Sequence, residues 1–104
     1  MRTLARMIIR VYRARSHPGM DRDFEAFLRE TALPMMKKQE GCKTVQLGKT
    51  RWGGSPEFVI VSTWDSIDHL KQFAGAEWQS PRILPEEAHM VARVFCDHYE
   101  AMGP

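Results

Sequence analysis

Two periods of apolar residues alternate along this chain, one of two residues and one near 3.6. The clearest segment of period two is Phe58, Val59, Ile60, Val61, Ser62, Thr63 and Trp64, a β-branched and aromatic run of strand length. Phe58, Ile60 and Trp64 share one face of such a strand and Val59 and Val61 the other, so both faces need a cover. Asp65 and Ser66 follow, with side-chain oxygens suited to the first free N–H groups of a helix. Ile67, Leu70, Phe73 and Ala74 then recur at helical spacing up to Gly75, which is placed to end the helix.

The rest of the chain reads in the same way. Leu4–Arg15 predicts a strand with Met7, Ile9 and Val11 on one face and Ile8, Arg10, Tyr12 and Ala14 on the other, ended by His17-Pro18-Gly19. Asp21–Glu40 predicts a helix with Phe24, Phe27, Leu28 and Thr31 on its apolar stripe and a Glu25–Arg29 pair outside. Pro34 has no N–H and crowds the preceding turn, so a kink or restart is expected there, with Met35 and Met36 carrying the apolar face on to Gly41. Cys42–Trp52 predicts a second strand, returned through Gly53-Gly54-Ser55-Pro56 into the Phe58 strand. Ala76–His89, with Pro81 and Pro85, predicts a short helical turn and then a loop, which is either a lid over a cavity or a fixed cover. Met90–Met102 predicts the last strand, with Val91, Arg93, Phe95, Asp97 and Tyr99 opposite to Ala92, Val94, Cys96, His98 and Glu100.

The order is β-α-β-β-α-β, an α+β chain with a ferredoxin-like, four-stranded antiparallel sheet. Two helices cover one face of that sheet. The other, expected to include Trp64 and Phe95, calls for a second copy packed face to face, so a symmetric homodimer is expected. At 104 residues the chain makes one domain, residues 1–104. A charged fraction of 27% and a hydrophobic fraction of 43% fit an ordinary globular protein. The net charge of +2, without a recognition motif, argues against nucleic acid. Arg2, Arg6, Arg10, Arg13 and Arg15 interrupt any leader-like apolar run and read as outward positions of a strand, and no window is long and apolar enough to span a membrane. A cytoplasmic protein with no membrane partner is expected, with Cys42 and Cys96 reduced and buried.

No nucleophile elbow, phosphate loop or dinucleotide fingerprint is present. Glu86-x-x-His89 has the spacing of a di-metal ligand pair, but that site needs a four-helix bundle and a second motif, so no metal is expected. Trp64 offers a flat apolar face and one N–H donor; it either positions an aromatic ligand or plugs the end of a core. Arg10, Tyr12 and Arg93 can line a cavity and hold an oxyanion, or the arginines can reach the rim and pair with Asp97 or Glu100. Among His69, His89 and His98 as bases, His89 is favoured because it lies in the loop over the cavity.

The element order, the strand-end Trp64 in STWDSIDHLKQF and the closing CDHYEAM together resemble the antibiotic biosynthesis monooxygenase family, within the dimeric α+β barrel superfamily, over residues 5–102. The resemblance implies oxidation of an aromatic or quinol-type compound by dioxygen without metal or flavin. In that reading Trp64 positions the ring, His89 takes the proton, Arg93 or Tyr12 holds the oxyanion, and Arg10, Phe73 and Phe95 complete the substrate wall. A non-enzymatic dimer, either binding a small hydrophobic ligand or serving as a stress-related domain, is the alternative. The haem-degrading branch of the family carries an Asn, a Trp and a His at positions that fall, ungapped, near Tyr12, Phe73 and Ile83. None of the three matches unless a gap brings in His89, so haem degradation is the less expected activity.

Overall fold

The computed structural model describes residues 6–53, 56–81 and 83–103. Its elements run β1 (Ile8–Ser16), α1 (Asp21–Phe27), a π-helical turn (Leu28–Ala32), α2 (Leu33–Lys37), β2 (Cys42–Lys49), β3 (Phe58–Trp64), α3 (Ile67–Ala74) and β4 (Val91–Glu100). The four strands form one antiparallel sheet in the order β2-β3-β1-β4. This is the ferredoxin-like arrangement the patterning predicts.

Strand alternation decides what each face carries. Ile8, Arg10, Tyr12 and Ala14 of β1 are buried against the helices, together with Phe58, Ile60, Ser62 and Trp64 of β3. Phe24, Leu28, Ala32 and Met36 cover them from one helical layer and Leu70 from the other. On the far face Ile9, Val11, Val59 and Val61 stay half-buried and Tyr99 is exposed. Trp64 is therefore not on the uncovered face: its parity with Ile60 turns it toward the helices, where it is 0% exposed. Phe95 does lie on the uncovered face, half-buried between the guanidinium groups of Arg13 and Arg93 at 5.2 and 5.3 Å from its ring centroid.

Pro34 shapes the first helical run. Instead of a sharp kink, the Leu33 N–H reaches five residues back to the Leu28 carbonyl. This widened turn, just before a residue that lacks an N–H, keeps the run continuous. Gly41 closes it at φ +83°, and a Cβ there would collide with the ring of His69. His69 packs under this corner, where Ser66 caps α3 by accepting from the His69 N–H at 3.2 Å. The Asp65 N–H, bonded to the Gly41 carbonyl at 2.7 Å, ties the two corners together.

Several boundaries move. β2 ends at Lys49, and Trp52, expected within it, is 85% exposed beyond the sheet. Leu4 and Ala5 of the expected first strand, and Gly54 and Ser55 of the connection, lie outside the described residues. Described residues of 76–90 form turns without a helix, and β4 occupies Val91–Glu100. Both cysteines are free and half-buried, more open than expected. Among the described residues no helix is long and apolar enough to cross a membrane.

Candidate active site

A partly open cavity of about 50 Å³ lies between the sheet and the helices. β1 and β3 give its floor (Arg10, Tyr12, Ile60, Ser62), the π turn and α2 one wall (Leu28, Ala32, Met35, Met36), and Phe73, Leu84 and Glu87 the other. That volume holds a few water molecules. A ring compound enters only if flexible wall residues such as Met35 and Leu84 give way.

Three polar side chains stand out in this apolar setting. Arg10 occupies an inward position of a central strand and is 3% exposed. Its Nε–H donates to Cys96 Sγ at 3.1 Å, and its guanidinium carbon lies 5.9 Å from the centre of the Phe73 ring. Among the described residues no carboxylate lies within 4.0 Å of it, whereas Arg6, Arg13, Arg15 and Arg29 each have one. Glu87 is 4% exposed and accepts a hydrogen bond from Tyr12 Oη at 3.2 Å. Burial pushes the Glu87 carboxyl above the usual carboxylate range, with Glu86 adding to the rise, while the Tyr12 hydrogen bond and a backbone contact at Leu84 pull it back. Burial, and then the charge and hydrogen bond of Glu87, push the Tyr12 phenol well above its ordinary range. Tyr12 thus keeps its proton at any ordinary pH, and Glu87 is the member of the pair that exchanges one.

Ser62 completes the floor. Its Oγ accepts the Trp64 indole N–H at 3.0 Å, which leaves the Ser62 O–H to donate elsewhere. Trp64 does not line the cavity. It stacks on Phe73 with ring centroids 5.1 Å apart and 24° between planes, and so holds Phe73 and Ser62 from behind.

Of the residues singled out from sequence, the fold brings Arg10, Tyr12 and Phe73 to one cavity with Trp64 behind them. It does not bring Arg93, Phe95 or His89 there. Arg93 and Phe95 pair in register with Arg15 and Arg13, and residues opposite one another share a face, so both point away from the helices. His89 is exposed in the turn before β4, as is Glu86. Two contributors were missed. Ser62 was legible as a polar residue with the inward parity of Ile60 and Trp64. Glu87 was not, because the aperiodic 76–90 segment gives no signal for which of Glu86 and Glu87 turns inward. Among the described residues no group of three or more His, Cys, Asp or Glu side chains is placed to hold a metal ion.

The same architecture recurs in solved proteins. A protein from Pseudomonas aeruginosa matches with a TM-score of 0.77 at 17% identity, over 98% of this chain and 100% of its own. A candidate antibiotic biosynthesis monooxygenase from Caulobacter crescentus matches with 0.72 at 18%, over 96% and 93%. A heme-degrading protein from Mycobacterium tuberculosis matches with 0.67 at 17%, over 96% of each chain. At these identities the likeness is one of fold. No curated protein matches the chain. The family model for antibiotic biosynthesis monooxygenases matches residues 7–80, from β1 through α3 and into the segment that follows it. The chain belongs to the antibiotic biosynthesis monooxygenase family.

Proposed function

We propose that this protein is a small homodimeric oxygenase that oxidises an activated phenol, anthrone or quinol-type compound with dioxygen in the helix-side cavity. The observation that carries this reading is Arg10, a residue 3% exposed at an apolar cavity with no carboxylate of the described residues within 4.0 Å. A buried cation with no directly paired carboxylate is costly, and an anionic oxygen on a ligand relieves that cost.

The chemistry follows from the two charged groups. For an anthrone, Glu87 takes a proton from the ring methylene and Arg10, with the Ser62 hydroxyl, holds the resulting oxyanion. The anion passes one electron to dioxygen, and the radical pair joins as a carbon-bound peroxide. Loss of water, with Glu87 returning its proton, leaves the quinone carbonyl. One oxygen atom enters the product and the other leaves in water, so the dioxygen is fully reduced by the two C–H bonds consumed. Tyr12 orients the Glu87 carboxylate, and Trp64 holds the Phe73 face against which the ring lies.

The homodimer rests on the opposite face. Ile9, Val11, Val59, Val61 and Phe95 are only half-buried in one protomer, and a second sheet packed face to face would cover them. Dioxygen uptake, followed by electrode on metal-stripped protein across anthrones, hydroquinones and catechols, tests the chemistry. Uptake on at least one compound is expected to survive chelation and to vanish in Arg10→Gln. Folded protein that binds these compounds but consumes no dioxygen would instead be a non-enzymatic ligand-binding dimer.

A further inference from the structure

The guanidinium of Arg10 has two working edges, and the protein occupies one of them. Arg10 and Cys96 share the helix-facing side, since Cys96 lies opposite Tyr12 and His98 opposite Arg10 in the β1–β4 register. The Arg10 Nε–H donates to Cys96 Sγ at 3.1 Å, which takes up the side edge of the group. The guanidinium carbon lies 5.9 Å from the centre of the Phe73 ring, within the range of a cation held over an aromatic face. One hydrogen bond and one ring thus set the direction and the plane of the guanidinium.

The two terminal nitrogens remain. Among the described residues neither Nη1 nor Nη2 has a hydrogen-bond partner, and no carboxylate lies within 4.0 Å of them. No sealed side-chain nitrogen or oxygen of the described residues lacks a partner, so these two nitrogens are not sealed in. With the residue 3% exposed, the opening they have is the cavity that Arg10 lines. The end edge of a guanidinium offers two parallel N–H donors in one plane. Such an edge matches two oxygens that lie side by side, and it makes only one good bond to an isolated oxygen.

We infer that the compound taken by this cavity carries a second oxygen beside the one that becomes the oxyanion, as in a catechol, and that the end edge of Arg10 selects it by meeting both oxygens at once. The identity of one oxygen as the future oxyanion rests on the oxidation proposed above, whereas the selection itself is one of binding. A compound with a single phenolic oxygen leaves one N–H direction empty against the apolar walls of Leu28, Ala32 and Ile60. A para-quinol cannot bring its second oxygen to the same edge. Arg10 is thereby the specificity-determining residue. Cys96 does not line the cavity and is a positioning residue: by holding Nε it turns the end edge, rather than the side edge, inward.

The test uses two isomers with the same atoms and the same apolar surface. Metal-stripped full-length protein is titrated calorimetrically, with dioxygen excluded, with 2,3-dihydroxynaphthalene and with 2,7-dihydroxynaphthalene. The isomer with neighbouring oxygens is expected to bind about tenfold more tightly, the worth of one further charge-assisted hydrogen bond. Arg10→Lys keeps the charge but presents a point rather than a fork, and is expected to bring the two affinities together. Cys96→Ala is expected to lower the ratio, and Cys96→Ser, whose hydroxyl still accepts from Nε, to keep it; this pair carries the test if Arg10→Lys fails to fold. Equal affinities in wild type, binding of neither isomer, or an unchanged ratio in folded Arg10→Lys would overturn the selection. In air, selective binding without dioxygen uptake on any compound would overturn the oxidation and leave the selection standing. Equal affinities with uptake on both isomers would do the reverse.

Discussion

The helix-facing and outward-facing sides of the sheet are built from the same four strands yet distribute polarity in opposite ways. Under the helices sit Arg10, Tyr12, Ser62 and, from the following connection, Glu87. On the open side the central positions are Ile9, Val11, Val59 and Val61, with arginines flanking Phe95. An ordinary domain does the reverse. Each departure is what the proposed function uses: a covered face with a buried, directly unpaired cation suits an anionic ligand, and an open face with an apolar centre suits a second protomer.

The contrast can be broken from either side. The largest effect is expected from Trp64→Ala, which removes the Phe73 stack and leaves a void at a fully buried position. A loss of about 3–5 kcal/mol in denaturant unfolding is expected. Next comes Val61→Asp at the centre of the open face. It should weaken self-association by about 3 kcal/mol, read by sedimentation equilibrium, while leaving each protomer folded. Tyr12→Phe should cost about 1 kcal/mol for the lost hydrogen bond. It should also raise the Glu87 carboxyl further, since the Tyr12 contact is one of the two that lower it.

Glu87 also gives the covered face its own pH dependence. Its folded-state pKa lies above that of the unfolded chain, about 4.3, so the folded protein binds the proton more tightly. The contribution to stability is therefore complete below about pH 4.3 and is lost as pH rises through the elevated folded value. Urea midpoints of wild type should fall over that interval relative to those of Glu87→Gln, in which this slope is absent. The smallest effect belongs to Arg93→Gln on the open face, within about 0.5 kcal/mol.

The order of the elements was readable because periods of two and 3.6 run long enough to separate strand from helix. Parity within β1 was readable too: Arg10 and Tyr12 share a face with Ile8, as the alternation requires. The failures have separate causes. Trp64 has the parity of Ile60, so placing it on the open face set an expectation about packing above a rule of geometry. The two faces of β4 are equally mixed in polarity, and only the register with Arg13 and Arg15 reveals that Arg93 and Phe95 face outward. Pro34 signalled a disturbance but not its form, because a kink and a π turn both accommodate the missing N–H. Glu87 lies where no period exists, and its position depends on turns held by backbone contacts such as the Glu87 N–H to the Leu84 carbonyl.

The central claim is that the chemistry belongs to the covered face. It is tested most directly by dioxygen uptake on one responsive anthrone or hydroquinone, measured side by side for wild type, Glu87→Gln and Arg93→Gln. The structure predicts that uptake falls by about 100-fold or more in Glu87→Gln, the range for loss of a general base, and stays at the wild-type rate in Arg93→Gln. Uptake retained in Glu87→Gln and lost in Arg93→Gln would contradict the claim and move the chemistry to the other side of the sheet.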